Sequence, residues 1–172
     1  MIKFIKNQPM SFDIKTLDLL IEDYPIDVEE HPYNKQIEDL SVGTFGKVWR
    51  ENFPKEIVQY IEEVGLEGNQ FHAYINVQRP GKMTTLHQDT FNYTSNKFGV
   101  GTKDLTRLII FLTDWNKGEN FCVEDKCLVN WKQGDCYTFD AMDWHWGVNA
   151  GFKTKYTLII STPNEFIKNV QS

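Results

Sequence analysis

Residues 71–78 read Phe71-His72-Ala73-Tyr74-Ile75-Asn76-Val77-Gln78, and the fold turns on this octet. Phe71, Ala73, Ile75 and Val77 fall on one side of an extended chain. His72, Tyr74, Asn76 and Gln78 fall on the other, with the period of two that a β-strand imposes. One set suits a core, and the other faces a second environment. Pro80-Gly81 then turns the chain. Further strands are expected at Leu105 to Asp114, Asn120 to Glu124, Cys127 to Trp131, Asp135 to Phe139, Asp143 to Val148 and Lys155 to Thr162. Asn116-Lys117-Gly118, Asp125-Lys126, Lys132-Gln133-Gly134 and Ala150-Gly151 separate them, and short strands divided by such turns build an antiparallel sandwich or barrel.

Upstream the period changes. Residues 1–66 read as a mainly helical support region. Ile14, Leu17, Leu20 and Ile21 lie at helical spacing with Ser11 or Asp13 as cap. A second helix opens at Pro54, carries Ile57, Val58, Tyr60 and Ile61 as its apolar stripe, and stops at Gly65. Glu22 to Phe53 reads as irregular. The fold class expected is mainly β with flanking helices, a jelly roll spanning residues 70–162 with the helices packed outside its major sheet.

Length and composition set limits on function. The chain has 172 residues, 41% hydrophobic and 24% charged, which suits one domain spanning residues 1–172 with its own core. Its 18 basic and 24 acidic residues leave a net charge of −6. No broad cationic surface is available to neutralise a phosphate backbone, so nucleic acid is not an expected partner. No apolar run approaches a membrane span, and Met1 to Lys6 is too interrupted for a signal peptide, so no membrane association and a cytoplasmic setting are expected. Nothing in the sequence speaks to oligomeric state.

Within the β region stands His87-Gln88-Asp89, with His145 following 58 residues later in Asp143-Trp144-His145-Trp146-Gly147. Residues two apart on a strand project to the same side, so His87 and Asp89 can offer an imidazole nitrogen and a carboxylate oxygen to one point. His145 can supply a third ligand from another strand. Two histidines and one carboxylate leave adjacent metal positions open, the donor set of non-haem iron(II) oxygen chemistry.

The stretch Trp131-Lys132-Gln133-Gly134-Asp135-Cys136-Tyr137-Thr138-Phe139, followed by His145, Asn149, Gly151, Lys155, Thr157 and Leu158, resembles the 2-oxoglutarate and iron(II)-dependent oxygenases of the double-stranded β-helix (cupin-like) fold. Tyr74 to Gly81 resembles the strand and turn ahead of that family's H-x-D. The resemblance implies a prolyl-hydroxylase-like dioxygenase in which His87, Asp89 and His145 bind Fe(II). Lys155, ten residues past His145, would hold the far carboxylate of 2-oxoglutarate, joined by the hydroxyl of Thr157. It also implies O2 as cosubstrate, release of succinate and CO2, and hydroxylation of an unactivated C–H of a peptide or small-molecule substrate.

Lys155 stands where arginine is commoner in the family, giving a point charge in place of a fork. Lys153 could compete for its role. Arg107 is a further candidate for a substrate or cosubstrate carboxylate, and Tyr74 and Asn76 for hydrogen bonds to the cosubstrate. Trp144 and Trp146 are expected to point away from His145 and pack the supporting layer. His31 and His72 lack a partner at ligand spacing. Thr90 to Lys103 reads as a long loop suited to covering the substrate. Two readings stay open beside the oxygenase: a noncatalytic cupin-like binding module, and a metal-dependent cupin enzyme that uses no 2-oxoglutarate. A Cys₃His zinc site from Cys122, Cys127, Cys136 and His145 is disfavoured by its spacing, and a Cys122–Cys127 disulfide across a hairpin is sterically conceivable but needs an oxidising compartment.

Overall fold

The computed structural model describes residues 1–24, 45–89 and 91–171. Its strands are β1 (Lys3–Asn7), β2 (Glu22–Tyr24), β3 (Phe45–Trp49), β4 (His72–Gln78), β5 (Lys82–His87), β6 (Leu105–Phe111), β7 (Glu119–Val123), β8 (Lys126–Leu128), β9 (Asp135–Asp140), β10 (His145–Asn149) and β11 (Lys155–Pro163). The α-helices are α1 (Lys55–Val64), α2 (Asn92–Phe98) and α3 (Ile167–Gln171). A seven-stranded sheet has the order β1-β9-β6-β11-β4-β3-β2, and a four-stranded sheet the order β5-β10-β7-β8. All pairings are antiparallel. This is the jelly-roll, double-stranded β-helix architecture with short flanking helices.

Alternation along the strands divides the interior in two. Ala73, Ile75 and Val77 of β4, Leu108 and Ile110 of β6, and Leu158 and Ile160 of β11 form one core with Ile57, Tyr60, Ile61 and Val64 of α1. The opposite faces contribute Ile109, Phe111, Phe139 and Ile159 to a second core, closed by Phe121, Val123 and Trp131. Burying one such side chain stabilises the fold by roughly 1.5–3 kcal/mol, so each face of the major sheet is held independently. Trp131 stacks on Phe111 at 4.0 Å between centroids, which makes it a core residue.

The N-terminal third departs from the expected helical region. Ile14–Leu20 is a 3-10 helix, with Asp13 as its cap accepting from the Lys15 amide. The helix from Lys55 is present, with Pro54 just outside it and Gly65 closing it in the left-handed conformation at φ 117°. Residues 22–24 and 45–49, expected to be irregular, are strands. β3 gains its conformation by pairing with β4, a long-range ladder that no local pattern announces. β1 is an edge strand with no fully buried face, so it shows no apolar alternation. His31 and the rest of residues 25–44 lie outside the described residues.

The segment expected to be a loop after Asp89 is partly helical: α2 occupies residues 92–98 and a 3-10 turn spans Thr102–Asp104. Thr90 lies outside the described residues. Cys122 and Cys127, directly opposite on β7 and β8, are disulfide-bonded. Cys136 packs in the core on the α1 side, its thiol pushed up to about 12 by burial. The four-ligand zinc arrangement is thereby overturned. Among the described residues no helix is long and apolar enough to cross a membrane.

Candidate metal centre

β5 ends and β10 begins at the same place. His87 and His145 are register partners in that ladder, with ring centroids 4.2 Å apart. Each ring is fixed through Nδ1, which lies 2.7 Å from the Thr85 carbonyl oxygen in His87 and 3.0 Å from that of Asp143 in His145. A carbonyl accepts, so Nδ1 carries the proton and Nε2 is left as the donor atom for a cation.

Asp89 lies two residues beyond the end of β5, not on the strand itself. Its Oδ1 is 3.8 Å from His87 Nε2 and its Oδ2 3.4 Å from His145 Nε2. One ligand atom from each of the three residues falls within 4.8 Å of the others. The spacing suits a first-row metal, whose bonds to nitrogen and oxygen are about 2.0–2.2 Å.

Electrostatics keeps His145 and Asp89 in the ligating state. Burial pushes the His145 imidazole down to about 4, with Asp89 opposing the shift, so the ring is neutral near pH 7. Burial pushes the Asp89 carboxyl up, but Arg107, then His145 and His87, outweigh it and hold the group below its ordinary value. Arg107 Nη2 donates to Asp89 Oδ2, and Arg107 makes a further side-chain hydrogen bond with Tyr74. The Arg107 guanidinium lies 4.5 Å from the centre of the Phe91 ring. Phe91 adopts a left-handed φ of 54°, a conformation that costs a non-glycine residue about 1–2 kcal/mol.

The triad opens on a cavity of about 120 Å³ between the sheets. Lys155, Thr157 and Ile159 of β11 line it together with Tyr74, Asn76 and Gln78 of β4, which stand opposite them in register. Lys155 is 3% exposed. Its Nζ donates to the carbonyls of Asn120 (3.0 Å) and Val148 (3.3 Å), and among the described residues no carboxylate lies within ion-pair distance of it. Burial pushes its ammonium down to about 8, with Glu119 opposing. Asn76 Oδ1, in the same wall, is buried without a hydrogen-bond partner. The cavity wall thus carries a buried ammonium and an amide oxygen without a hydrogen-bond partner.

The structure thus brings His87, Asp89, His145, Lys155, Thr157, Tyr74, Asn76 and Arg107 to one cavity. Lys153 is excluded, because β11 starts only at Lys155 and residue 153 is exposed in the preceding turn. Trp144 is 41% exposed and so does not pack a supporting layer, whereas Trp146 alternates with His145 and Gly147 along β10, stands opposite Cys122 on β7 and borders the cavity. Sequence reasoning missed Gln78, Thr84, Phe121 and Phe139 as lining residues, although Gln78 belongs to the same alternating set as Tyr74 and Asn76. It also missed Phe91 beneath Arg107, for which the sequence carries no signal.

Fold and site together define a double-stranded β-helix protein with a two-histidine, one-carboxylate donor set. No protein-family model matches the chain, and no curated protein matches it. Several solved structures are similar in part. A Cupin 2 conserved barrel domain protein from Salinispora arenicola is 12% identical, over 87% of this chain and 94% of its own, with a TM-score of 0.43. A sugar phosphate isomerase from a cupin superfamily, from Silicibacter pomeroyi, is 13% identical over 83% and 68%, at 0.45. A cupin domain from Bordetella pertussis is 11% identical over 56% and 85%, at 0.40.

Proposed function

We propose that residues 1–172 form a single non-haem iron(II) and 2-oxoglutarate-dependent dioxygenase domain that hydroxylates an unactivated C–H of a peptide or small-molecule substrate. One relation carries the reading: Lys155, a buried cation with no carboxylate within ion-pair distance among the described residues, lines the same cavity as His87, Asp89 and His145. A metal site alone needs no such cation, whereas a dicarboxylate cosubstrate does.

Each residue has a task within this reading. His87 and His145 present their Nε2 atoms, and Asp89 presents an oxygen already carrying its negative charge. Their clustering on one side of the metal position leaves the other side to exogenous ligands. Lys155 Nζ, with Thr157 beside it, receives the far carboxylate of 2-oxoglutarate. Tyr74 and Asn76 orient the cosubstrate from β4. The walls of Phe121, Phe139 and Ile159 keep water from the reacting atoms. When bound, iron(II) supplies oxygen activation: one oxygen atom of O2 enters succinate as 2-oxoglutarate loses CO2, and the other enters the substrate as hydroxyl.

Anaerobic addition of iron(II) and 2-oxoglutarate is expected to produce the weak visible charge-transfer band of the chelate, and aerobic turnover to release succinate. A folded, metal-loaded protein that gives neither is instead a cupin-like binding module or a metalloenzyme without 2-oxoglutarate.

A further inference from the structure

Lys155 and Arg107 line the same cavity but are held by different partners. Arg107 stands opposite Ser161 on β11, six residues from Lys155, a separation of roughly 20 Å along the strand at about 3.3 Å per residue. Arg107 lies at the metal end, in contact with Asp89, whereas Lys155 Nζ is held by the carbonyls of Asn120 and Val148. The two therefore do not compete for one carboxylate.

Charge at the metal end is unbalanced once a dication is present. Asp89 cancels Arg107, and the metal adds two positive charges. The cosubstrate carboxylate that remains after Lys155 has taken its partner offsets one of them. One positive charge is left in a site where Arg107 is 5% exposed, and buried charge is retained only when compensated.

The surroundings carry the same sign. Although the chain is acidic overall, His72, at the start of β4, is pushed down to about 4 by burial and then by Lys97, Arg107 and Arg50, against one opposing glutamate, Glu51. The guanidinium is also prepared for a planar anion. Phe91 lies against it at 4.5 Å, Tyr74 lies 6.0 Å away, and Nε is buried without a partner.

Resting on the oxygenase reading above, we propose that Arg107 receives a carboxylate of the primary substrate, which is therefore an anion anchored beside the metal position. Arg107 is then a specificity-determining residue and not part of the 2-oxoglutarate anchor.

The test is calorimetry on nickel(II)-loaded protein holding N-oxalylglycine, an inert isostere of 2-oxoglutarate, titrated with a set of N-acetyl amino acids and with their amides. Wild-type protein is expected to bind at least one acid about ten-fold or more tighter than its amide, the scale of one charge-assisted hydrogen-bond pair. Arg107→Gln is expected to erase that preference, which is read by comparing acid with amide on the same loaded variant and so does not depend on what the loss of the Asp89 contact costs in nickel(II) or N-oxalylglycine affinity. Arg107→Lys, which keeps a cation against Asp89 and guards against misfolding of the first variant, is expected to lower the preference several-fold.

The proposal is overturned if wild type binds no acid better than its amide, or if either variant keeps the full preference. A ten-fold loss of N-oxalylglycine in Arg107→Gln with nickel(II) affinity unchanged also overturns it, assigning the carboxylate to the cosubstrate. Nickel-dependent binding of N-oxalylglycine that is absent from wild type sinks the oxygenase reading and this proposal together, and is recognisable before any variant is made.

Discussion

His87 and His145 face each other across the β5–β10 ladder as direct register partners, each ring tied by Nδ1 to a carbonyl two residues earlier in the chain. Residues 58 apart are thus brought together by ordinary strand pairing, and their donor atoms are fixed before any cation arrives. Such preorganisation limits the entropy lost on metal binding. Asp89 lacks a ladder to hold it and depends on Arg107.

Removing Asp89 therefore has two consequences. Asp89→Ala is expected to abolish nickel(II) binding in calorimetry, and also to destabilise the metal-free protein by about 3–5 kcal/mol, because it strands a buried guanidinium. The double variant Asp89→Ala with Arg107→Met removes both charges and should recover most of that stability without recovering metal binding. Urea denaturation of the single and double variants reads the difference. Equal instability of the two would mean that Arg107 is not held by Asp89.

The sequence made part of this site legible, and the reasons differ from residue to residue. Alternation in residues 71–78 placed Tyr74 and Asn76 opposite Ala73 and Ile75, because a strand buried on both faces still separates polar from apolar side chains. His87 and His145 were readable from donor chemistry. The Arg107–Asp89 pair was not, since it joins β6 to a residue beyond the end of β5 and depends on where the chain turns after His87. The β1 and β3 strands were hidden for a related reason: their conformation comes from ladders to β9 and β4, and local propensity is overridden by such partners. Lys153 was separated from Lys155 only when the start of β11 was known.

The two faces of β11 predict opposite effects for neighbouring isoleucines. Ile160 is 0% exposed in the core shared with α1, whereas Ile159 lines the cavity. Ile160→Ala is expected to cost about 2–5 kcal/mol of stability, with N-oxalylglycine affinity unchanged. Ile159→Ala should cost less, because its site already borders a void, and should alter ligand affinity. Denaturant midpoints and calorimetry on both variants check this, and a ligand effect from Ile160→Ala alone would contradict the division.

Gly65 is held to glycine by two independent constraints. Its φ is 117°, and a Cβ there would lie 2.6 Å from the Asn169 carbonyl oxygen, inside any acceptable contact. Gly65→Ala is expected to lower stability by about 2–4 kcal/mol, combining left-handed strain with displacement of α3. Metal binding by the fraction that stays folded should match wild type. A melting temperature unchanged by the substitution would show that α3 yields without cost.

Lys155 gives stability and ligand binding opposite pH dependences. Burial pushes its ammonium down to about 8, while an unfolded lysine titrates near ~10.4. Below the folded value the side chain is charged in both states, and the cost of burying that charge is fully present. Between the two values the unfolded chain binds more protons than the folded one, so stability contributed at this site rises with pH through that window. Anion binding needs the ammonium, so affinity for N-oxalylglycine should fall as pH rises above about 8. Lys155→Arg stays charged across the range and should flatten the fall, while Lys155→Met should bind weakly at every pH and be more stable than wild type near neutrality. Calorimetry on nickel(II)-loaded protein from about pH 7 to about pH 9.5 spans the transition, and a wild-type affinity that stays level across it would remove Lys155 from the ligand's contacts.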